Sequence, residues 1–468
     1  MRWKMAEKKS KQKSSISRRQ FLGGSAVAAT AFTIVPRHVL GGSGFTPPSD
    51  IVNVAAIGVG GKGRSDIMSV SKGANIVALC DVDDNKMSET LKKAKEEKGK
   101  EKLAEQLEKA PKYKDFRVML EKEKSIDAVT VSTPDHTHAV AAAMAMKMGK
   151  HCFVQKPLTH SVKEARALRE IAKEANVVTQ MGNQGHAGEG GRLVCEWIWD
   201  GAIGPVREVH CWTNRPVWDT GMDRPKEIPS VRPSLDWNLW LGPAPWRNYH
   251  PAYVPWAWRA WCDFGTGALG DMGAHIFDHA YWPMKLEYPT KVHACSSEFN
   301  NESWPVAETV YYEFPARGDM PACKLTWHDG GMMPPRPDEF EQGRKMGDGD
   351  GGVLFIGDKG MIMCGCYGRN PRIVPETKMK EYKRPEKTIP RSPGIHEEWI
   401  EAIKKGEKST TDFSYSSKLV ETMMMGNIAI RLAPKNTILE WDGEKGEFTN
   451  MPEANEYLIR KYRDGWSL

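Results

Sequence analysis

The stretch that decides the fold is Ile51-Val-Asn-Val-Ala-Ala-Ile57, which runs directly into Gly58-Val59-Gly60-Gly61-Lys62-Gly63. A second apolar run, Asn75 to Cys80, ends on Asp81. A buried strand, a G-x-G-x-x-G turn, a helix and a second strand ending in an acid make the pattern of a dinucleotide-binding unit. The first glycine allows a tight turn, the second lets the backbone approach a pyrophosphate, and the third lets helix and strand pack closely. The sequence therefore predicts an α/β, doubly wound Rossmann domain.

Asp81 selects between the two nicotinamide dinucleotides. A carboxylate at this place accepts hydrogen bonds from the adenosine ribose hydroxyls and repels a 2′-phosphate, which favours NAD over NADP. Arg64, one residue past the fingerprint, softens that preference because it attracts phosphate. The expected cofactor contacts in this region are Gly58, Gly60, Gly61, Gly63, Arg64 and Asp81. A glycine-rich strand-to-helix turn without any ligand is the alternative.

The net charge of +6 is concentrated at the N-terminus. Residues 1–40 hold nine Lys or Arg and a single acidic residue, Glu7, whereas residues 41–468 hold 57 basic and 59 acidic residues. A main chain without a basic excess is not expected to bind nucleic acid. Its 468 residues suffice for two or three domains, and its nine scattered cysteines predict no disulfide framework.

The basic N-terminal segment has the plan of an export signal. Lys8 to Lys13 are followed by Ser17-Arg18-Arg19-Gln20-Phe21-Leu22 and then by a mildly apolar stretch of 13 residues, Gly23 to Val35. A bilayer-spanning helix needs about 20 apolar residues, so this stretch is too short to be one. The paired arginines resemble the twin-arginine signal, which directs folded proteins to export. We therefore expect a periplasmic or otherwise exported protein, with a disordered basic tail as the alternative.

Strand and helix signals alternate from residue 50 and change in character near residue 183. The expected strands are Ile126–Val131, His151–Val154 and Val177–Gln180, and the expected helices are Ala139–Met148 and Val162–Ala175. Further along, Trp, Pro and Gly become frequent and alternating strands appear at Val206–Trp212 and Thr309–Phe314. The predicted organisation is a signal peptide and linker at 1–44, an NAD-binding Rossmann domain at 50–182, a substrate and oligomerisation α+β domain at 183–440, and a C-terminal tail at 441–468.

The carboxyl ends of the predicted strands carry the first candidate active-site residues, because ligands of a doubly wound sheet bind there. Those expected at the cofactor crevice are Thr133, Pro134 and His138 after one strand, and Gln155 and Lys156 after the next. A lysine that leaves a buried strand, braced by Pro157, can hydrogen-bond the oxygen that changes between hydroxyl and carbonyl. An ordinary solvated lysine at a strand end is the alternative.

A glycine-rich stretch further along, from Gly265 to His279, carries the second group of candidates. Asp271 and His275 are four residues apart and share one face of a predicted helix. A histidine oriented by a carboxylate is a competent general acid or base. A helix N-cap and a core imidazole are the respective alternatives. Together with His279 they also suit a metal, but no further ligand stands out and hydride transfer needs none, so no metal is expected.

Four sequence features resemble those of the glucose–fructose oxidoreductase/inositol dehydrogenase (Gfo/Idh/MocA) family. They are the fingerprint, Thr133-Pro134 with His138, the strand-end Lys156-Pro157, and Gly270-Asp271-x-Gly273-x-His275-x-x-Asp278. The resemblance covers most of residues 50–440 and implies that Lys156, Asp271 and His275 are catalytic. It also implies a C-terminal domain with a large open, mostly antiparallel sheet, whose outer face serves homo-oligomerisation as a dimer or tetramer.

The chain departs from that family at one position. Many members carry Glu before the Lys-Pro pair, whereas this chain carries Gln155. The substitution removes a negative charge near Lys156 and leaves the pH optimum and the direction of the reaction open.

Aromatic residues between Trp237 and Trp261 suggest a sugar substrate. Six Trp lie in this range, and aromatic faces beside Arg and His donors suit a molecule with apolar ring faces and a polar edge. Packing of these rings into a loop core is the alternative. The expected substrate contacts are Lys156, Asn183, His186, Trp258, Arg259, Asp271 and His275.

The expected function is interconversion of a secondary hydroxyl and a ketone on a sugar, glycoside or cyclitol by an exported NAD-dependent oxidoreductase. Free NAD is scarce outside the cytosol, so the cofactor is expected to be tightly bound. One alternative is a glycosidase that uses NAD for transient oxidation and elimination. An alternative of another class is a non-catalytic protein that binds NAD or sugar.

Overall fold

The structure is a computed structural model that describes residues 51–468, so the expected signal peptide and linker at 1–44 lie outside the described residues. Six parallel strands form its first sheet: β1 (Val52–Ile57), β2 (Ala74–Cys80), β3 (Lys112–Tyr113), β4 (Ala128–Val131), β5 (His151–Val154) and β6 (Thr179–Met181). Their order, β3-β2-β1-β4-β5-β6, reverses between β1 and β4. This is the doubly wound topology that the apolar runs predict, with the ligand crevice at the reversal.

Helices connect these strands, and apolar faces on them cover the sheet. They are α1 (Lys62–Val70), α2 (Asp84–Glu96), α3 (Glu101–Lys109), α4 (Phe116–Lys122), α5 (Asp135–Lys147) and α6 (Val162–Ala175). Helix α5 begins at Asp135 rather than at Ala139, because Pro134 has the extended backbone of a helix N-cap and the turn after it is already helical. Residues Asp135 to His138 therefore lie in the first helical turn and not in a loop.

The second sheet has nine strands. Its strands and the remaining helices are α7 (Glu189–Trp199), β7 (Val206–Thr213), α8 (Trp237–Leu241), α9 (Gly267–Ile276), α10 (Asp278–Tyr281), β8 (Lys291–Ser296), β9 (Glu308–Phe314), β10 (Cys323–His328), β11 (Gly351–Gly357), β12 (Gly360–Gly365), β13 (Arg372–Val374), α11 (Glu376–Glu381), α12 (Ile395–Lys405), α13 (Phe413–Arg431), β14 (Leu439–Asp442) and β15 (Glu447–Phe448). The strand order is β13-β12-β11-β7-β10-β9-β8-β14-β15, and only β7 and β10 pair in parallel. The expected open, mostly antiparallel sheet is confirmed.

Two late segments of the chain pack on the nucleotide-binding domain. Helix α12 lies beyond residue 183 in the chain, yet its Trp399 is fully buried against Phe153 of the first sheet. Strand β14 spans residue 440, and Trp466, within the expected tail at 441–468, packs on Phe116 of α4 with ring centroids 6.0 Å apart. In both contacts a late apolar side chain packs on the first domain, which spacing along the chain does not reveal.

All nine cysteines are free thiols, and all except Cys295 are buried. Among residues 51–468, no helix is both long enough and apolar enough to cross a membrane.

Candidate active site

The glycine-rich turn after β1 excludes side chains at Gly58 and Gly63 and is open at Gly61. Gly58 has φ +79°, and a Cβ atom there would lie 2.7 Å from the carbonyl oxygen of Ser132. A Cβ atom at Gly63 would overlap the carbonyl oxygen of Gly58. Gly61, with φ +50°, starts α1 without a side-chain cap, and a Cβ atom there would meet no atom within 4 Å. The uncapped helix start therefore faces open space, as a site for a pyrophosphate requires.

Asp81 braces this turn from the end of β2. Its Oδ2 accepts hydrogen bonds from the backbone N–H groups of Val59 and Gly60 at 2.9 and 3.3 Å, and Oδ1 accepts one from Asp83 at 3.0 Å. Burial raises the pKa of Asp81, although the three donated hydrogen bonds act to lower it. A carboxylate has four lone-pair sites, so one remains for a ribose hydroxyl.

Arg64 makes an ion pair with Glu89, with Nη1 2.9 Å from Oε1. Its charge is therefore already countered, which weakens the case for a 2′-phosphate.

His138 lies between the segments that follow β4 and β5. Thr133 borders the glycine turn, since its nitrogen would lie 3.0 Å from a Cβ atom on Gly58. The imidazole of His138 lies with Nδ1 2.8 Å from the carbonyl oxygen of Pro157 and Nε2 2.8 Å from that of Thr133. Burial lowers its pKa. The neutral ring can donate to only one of these two carbonyl oxygens. His138 lies between the two exits and is only 1% exposed, which argues against the cofactor contact expected from the sequence.

Lys156 and Asp271 meet although 115 residues separate them in the chain. The Lys156 Nζ donates to Asp271 Oδ1 at 2.8 Å and to the Asp271 carbonyl oxygen at 2.7 Å. Arg259 donates from Nε to the same Oδ1 at 3.1 Å. Burial alone would raise the pKa of Asp271, but the two cations outweigh it and hold that pKa well below its ordinary value. The strand-end lysine is thus fixed by a permanently ionised carboxylate on α9.

His275 lies one turn after Asp271 on α9 and is buried. Burial and the charge of Lys156 hold its pKa well below the ordinary value, although Asp271 opposes them. The structure differs from the expectation that Asp271 orients this imidazole: within residues 51–468 the His275 Nδ1 has no hydrogen-bond partner, and the carboxylate is engaged by Lys156 and Arg259. The shared helix face brings the two residues together, but the stronger attraction of two cations decides where the carboxylate points.

Asp135, which the sequence did not single out, lies near the same charges. Its Oδ2 accepts a hydrogen bond from the Thr266 hydroxyl at 2.7 Å. Burial raises its pKa to about 7, while that hydrogen bond and the charges of Arg259 and Lys156 oppose the rise.

Asn183 and His186, which follow β6, have different environments. Asn183 is fully buried, and neither its amide nitrogen nor its amide oxygen has a partner among the described residues. His186 lies with Nδ1 2.9 Å from Asp278 and stacks on Trp282 with ring centroids 4.0 Å apart. The Tyr415 hydroxyl donates to the same carboxylate at 2.7 Å. His186 is therefore fixed inside a core network, which argues against the expected substrate contact, whereas the Asn183 amide is available to a ligand.

Most of the Trp-rich segment packs into a core of its own, so the structural alternative prevails for these rings. Trp258 is only 8% exposed. The Arg259 guanidinium lies between the rings of Trp256 and Trp258, 4.2 Å from each centroid. Trp258 thus supports Arg259 from behind, and Arg259 is the member of the expected pair that reaches the site.

His279, the third residue of the metal alternative, is enclosed by glycine backbone. A Cβ atom on Gly185 would lie 2.8 Å from its Nε2, and one on Gly191 would lie 2.8 Å from its Nδ1. Burial lowers the pKa of His279 to about 4. In the part of the chain that the structure describes, no three His, Cys, Asp or Glu side chains are grouped to hold a metal ion.

Gln155 faces a carboxylate that the sequence analysis missed. Its Nε2 donates to Asp66 Oδ2 at 2.9 Å, and Ser132 donates to the same oxygen at 2.8 Å. His396 and Lys62 contact Oδ1 of this fully buried side chain. Burial raises the pKa of Asp66, but His396 and Lys62 outweigh it and hold it below the ordinary value. The negative charge that Gln155 lacks is therefore present on α1, where an acid on the apolar face of the helix was the available signal.

We expect Gln155→Glu to lower both thermal stability and NADH affinity, because it places a second carboxylate about 3 Å from Asp66. The double variant Gln155→Glu/Asp66→Asn restores one acid and one amide and should recover both properties, with a coupling of about 1–3 kcal/mol. Thermal melting and NADH fluorescence titration of the four proteins of the cycle measure this. Additive losses in the double variant would show that the two side chains do not act as a pair.

Two protein-family models match the chain. One, described as oxidoreductase family, NAD-binding Rossmann fold, matches residues 52–183. The other, described as oxidoreductase family, C-terminal alpha/beta domain, matches residues 206–314.

Individual relatives match over shorter stretches. Levoglucosan dehydrogenase of Pseudarthrobacter phenanthrenivorans is 26% identical over 166 residues, 36% of this chain and 35% of that protein. Glycosyl hydrolase family 109 protein 2 of Akkermansia muciniphila is 29% identical over 207 residues, 41% of each protein. The chain thus spans well under half the length of these curated relatives. A solved levoglucosan dehydrogenase in complex with NADH and levoglucosan superposes with a TM-score of 0.55 at 17% identity, covering 83% of this chain and 99% of that one, and this likeness supports the fold.

Proposed function

Because the chain belongs to the Gfo/Idh/MocA family of NAD-dependent oxidoreductases, we propose that it interconverts a secondary hydroxyl and a ketone on a sugar, glycoside or cyclitol. The observation that carries the proposal is the contact of Lys156 with Asp271, one helical turn from His275, beyond the strand ends of the NAD-binding sheet. A relative named for oxidation of the anhydrosugar levoglucosan supports the substrate class.

The residues present fit NAD. The open, uncapped start of α1 suits the pyrophosphate, and the free lone pair of Asp81 suits a ribose hydroxyl. The partnerless amide of Asn183 suits an amide of the ligand. The backbone of the turn would hold the phosphates through Gly58, Gly60, Gly61 and Gly63.

NAD, when bound, supplies the hydride acceptor. The Lys156 ammonium donates a hydrogen bond to the substrate oxygen and stabilises negative charge on it. Asp271 holds that ammonium in position through the 2.8 Å contact. His275 takes the hydroxyl proton, and its lowered pKa keeps the imidazole neutral, and so able to accept a proton, across the physiological range. In the opposite direction the same imidazole returns the proton.

The test is a panel of methyl glycosides, levoglucosan and myo-inositol mixed with the NAD-loaded protein. The near-ultraviolet absorbance of reduced nicotinamide should rise with at least one member. Sugars that bind with no change in that absorbance would instead favour a non-catalytic binding protein.

A second candidate is a glycosidase that uses NAD transiently, in which oxidation is followed by elimination, water addition and re-reduction. The similarity to a protein named as glycosyl hydrolase family 109 favours it. Release of p-nitrophenol from nitrophenyl glycosides without net reduction of nicotinamide would distinguish this reaction from a dehydrogenase.

We further propose that the protein is exported with its cofactor bound, on the strength of Arg18-Arg19 in the basic N-terminal segment. Replacing both arginines with lysine should retain the protein in the cytosol, as measured by cell fractionation.

We also propose a homo-oligomer through the outer face of the nine-stranded sheet. Tyr311 is 43% exposed on this face and stacks beside His293. The test is therefore to measure the oligomeric state of the Tyr311→Glu variant by light scattering.

Tight retention of the cofactor is a separate expected result. An exported enzyme has no free NAD to draw on, so the nucleotide should stay bound through purification and be reset by a second substrate or by the product. Denaturing the purified protein should release about one nicotinamide nucleotide per chain, as measured by chromatography of the supernatant. A supernatant without nucleotide, from protein that still binds added NADH, would contradict retention.

A further inference from the structure

Tyr367 is a half-buried residue that the proposed mechanism does not use. It lies in the short 3₁₀ turn Cys366–Gly368 at the end of β12, with φ +61° and ψ +21°. A tyrosine in this left-handed region is strained, and such strain persists only where the surroundings hold it in place.

Glycines in the facing segment let the Cys366–Gly368 turn pack closely against it. A Cβ atom on Gly185 would lie 2.8 Å from the Cα atom of Tyr367. A Cβ atom on Gly190 would overlap the carbonyl oxygen of Gly368. The turn is therefore pressed against the start of α7 with no side chain between them, and this contact fixes the direction of the Tyr367 side chain.

The ring of Tyr367 packs on the imidazole of His275. Their centroids are 4.5 Å apart, at an interplanar angle of 54°. The Arg369 guanidinium lies 4.7 Å from the Tyr367 ring centroid. The ring thus covers His275 and contributes to the burial that keeps its imidazole neutral.

The hydroxyl of Tyr367 makes no hydrogen bond within residues 51–468. Burial raises the pKa of Tyr367 to about 12, and the nearby charge of Asp271 adds to the rise. The phenol therefore stays protonated under working conditions. It is an unused donor and acceptor near the carboxylate that holds Lys156.

We propose that Tyr367 is a specificity-determining residue: its hydroxyl binds a hydroxyl of the sugar near the oxidised carbon, and its ring positions His275 and shields it from water. The inference rests on the proposed function. It adds that the substrate carries several hydroxyl groups and that Tyr367, in the turn after β12, binds one of them. The strained turn, the contact of the ring with His275 and the free hydroxyl are the three observations that support it.

Tyr367→Phe tests the hydroxyl alone. With the best substrate of the sugar panel, KM should rise about tenfold while kcat stays within about twofold, since one hydrogen bond made equally in ground and transition states is lost. Tyr457→Phe, at an exposed position near the C-terminus, is the matched control and should leave both constants unchanged. A KM of Tyr367→Phe equal to that of the wild type would overturn the substrate contact.

Tyr367→Ala tests the ring. Exposing His275 to water should raise its pKa toward 6.5, so the acid limb of the kcat/KM profile should move to higher pH. The charged and titratable groups that face the imidazole, and that stay in place, are Lys156, Asp271, Asp278 and His279. Tyr367→Asn is the second variant, because asparagine tolerates the left-handed backbone if the alanine variant does not fold.

A measurement without substrate separates this inference from the proposed function. Diethyl pyrocarbonate is applied to the protein as purified, without added substrate, and carbethoxylation of His275 is followed by peptide mass spectrometry. The rate should rise at least several-fold in Tyr367→Ala or Tyr367→Asn and stay unchanged in Tyr367→Phe. Equal labelling rates in all variants would overturn the positioning role of Tyr367, even if sugars are oxidised. If the wild type oxidises no sugar, the proposed function is overturned, and the labelling result alone decides whether the Tyr367 ring shields His275.

Discussion

Replacing Lys156 with Met is expected to lower kcat about 10³-fold, the loss found when a positioned donor to a developing oxyanion is removed. Methionine keeps the length and the apolar stem of lysine but has no charge and no donor. Asp271 retains Arg259 as its ion-pair partner at 3.1 Å, so the buried carboxylate is not left alone and the fold should persist.

The NADH dissociation constant of this variant should stay within about threefold of the wild type, since Lys156 lies outside the glycine turn that holds the phosphates. Steady-state rates with the best sugar of the panel and NADH fluorescence titration measure the two quantities. Lys163→Met, on the exposed face of α6, is the control and should behave as the wild type. A Lys156→Met enzyme with more than a tenth of the wild-type kcat would remove this amine from the mechanism.

Replacing His275 with Asn is expected to lower kcat/KM about 10²–10⁴-fold, the usual contribution of a positioned general base. The sign of the pH effect follows from the lowered pKa: the neutral imidazole is the active form, so wild-type activity should persist below pH 6.5 and fall only in more acidic buffer. The variant has no such group, and its residual rate should lack that acid limb.

His293→Asn, on the nine-stranded sheet, is the matched control for loss of an imidazole elsewhere. Adding imidazole to a His275→Ala enzyme should restore part of the rate, because a free base can enter the space that the side chain leaves. An acid limb that survives unchanged in His275→Asn would assign the proton transfer to another group.

The sequence predicted the features that local rules encode. The fingerprint from Gly58 to Gly63 specifies its own turn, and unbroken apolar runs specify buried parallel strands. The i,i+4 spacing of Asp271 and His275 correctly places both on one helix. The Rossmann fold follows from such features, whereas the mostly antiparallel second sheet was implied by the family resemblance. The fold, the sheet and the family are confirmed.

What the sequence did not predict depends on contacts between distant segments. Spacing shows that Asp271 and His275 share a helix face. It does not show that Arg259 and Lys156 both donate to the Asp271 carboxylate. Aromatic composition does not separate a sugar platform from a loop core, and Trp258 belongs to the core. The close contact of the Tyr367 turn with glycines about 180 residues earlier in the chain is likewise not visible in the local sequence.

Helix α12 contributes Trp399 to the core of the nucleotide-binding sheet and His396 to the Asp66 cluster, although more than two hundred residues separate it from β6. During synthesis the nucleotide-binding half therefore lacks a core element until α12 has emerged from the ribosome. A fragment ending near residue 390 should remain incompletely folded, and loading of the nucleotide should follow translation instead of accompanying it.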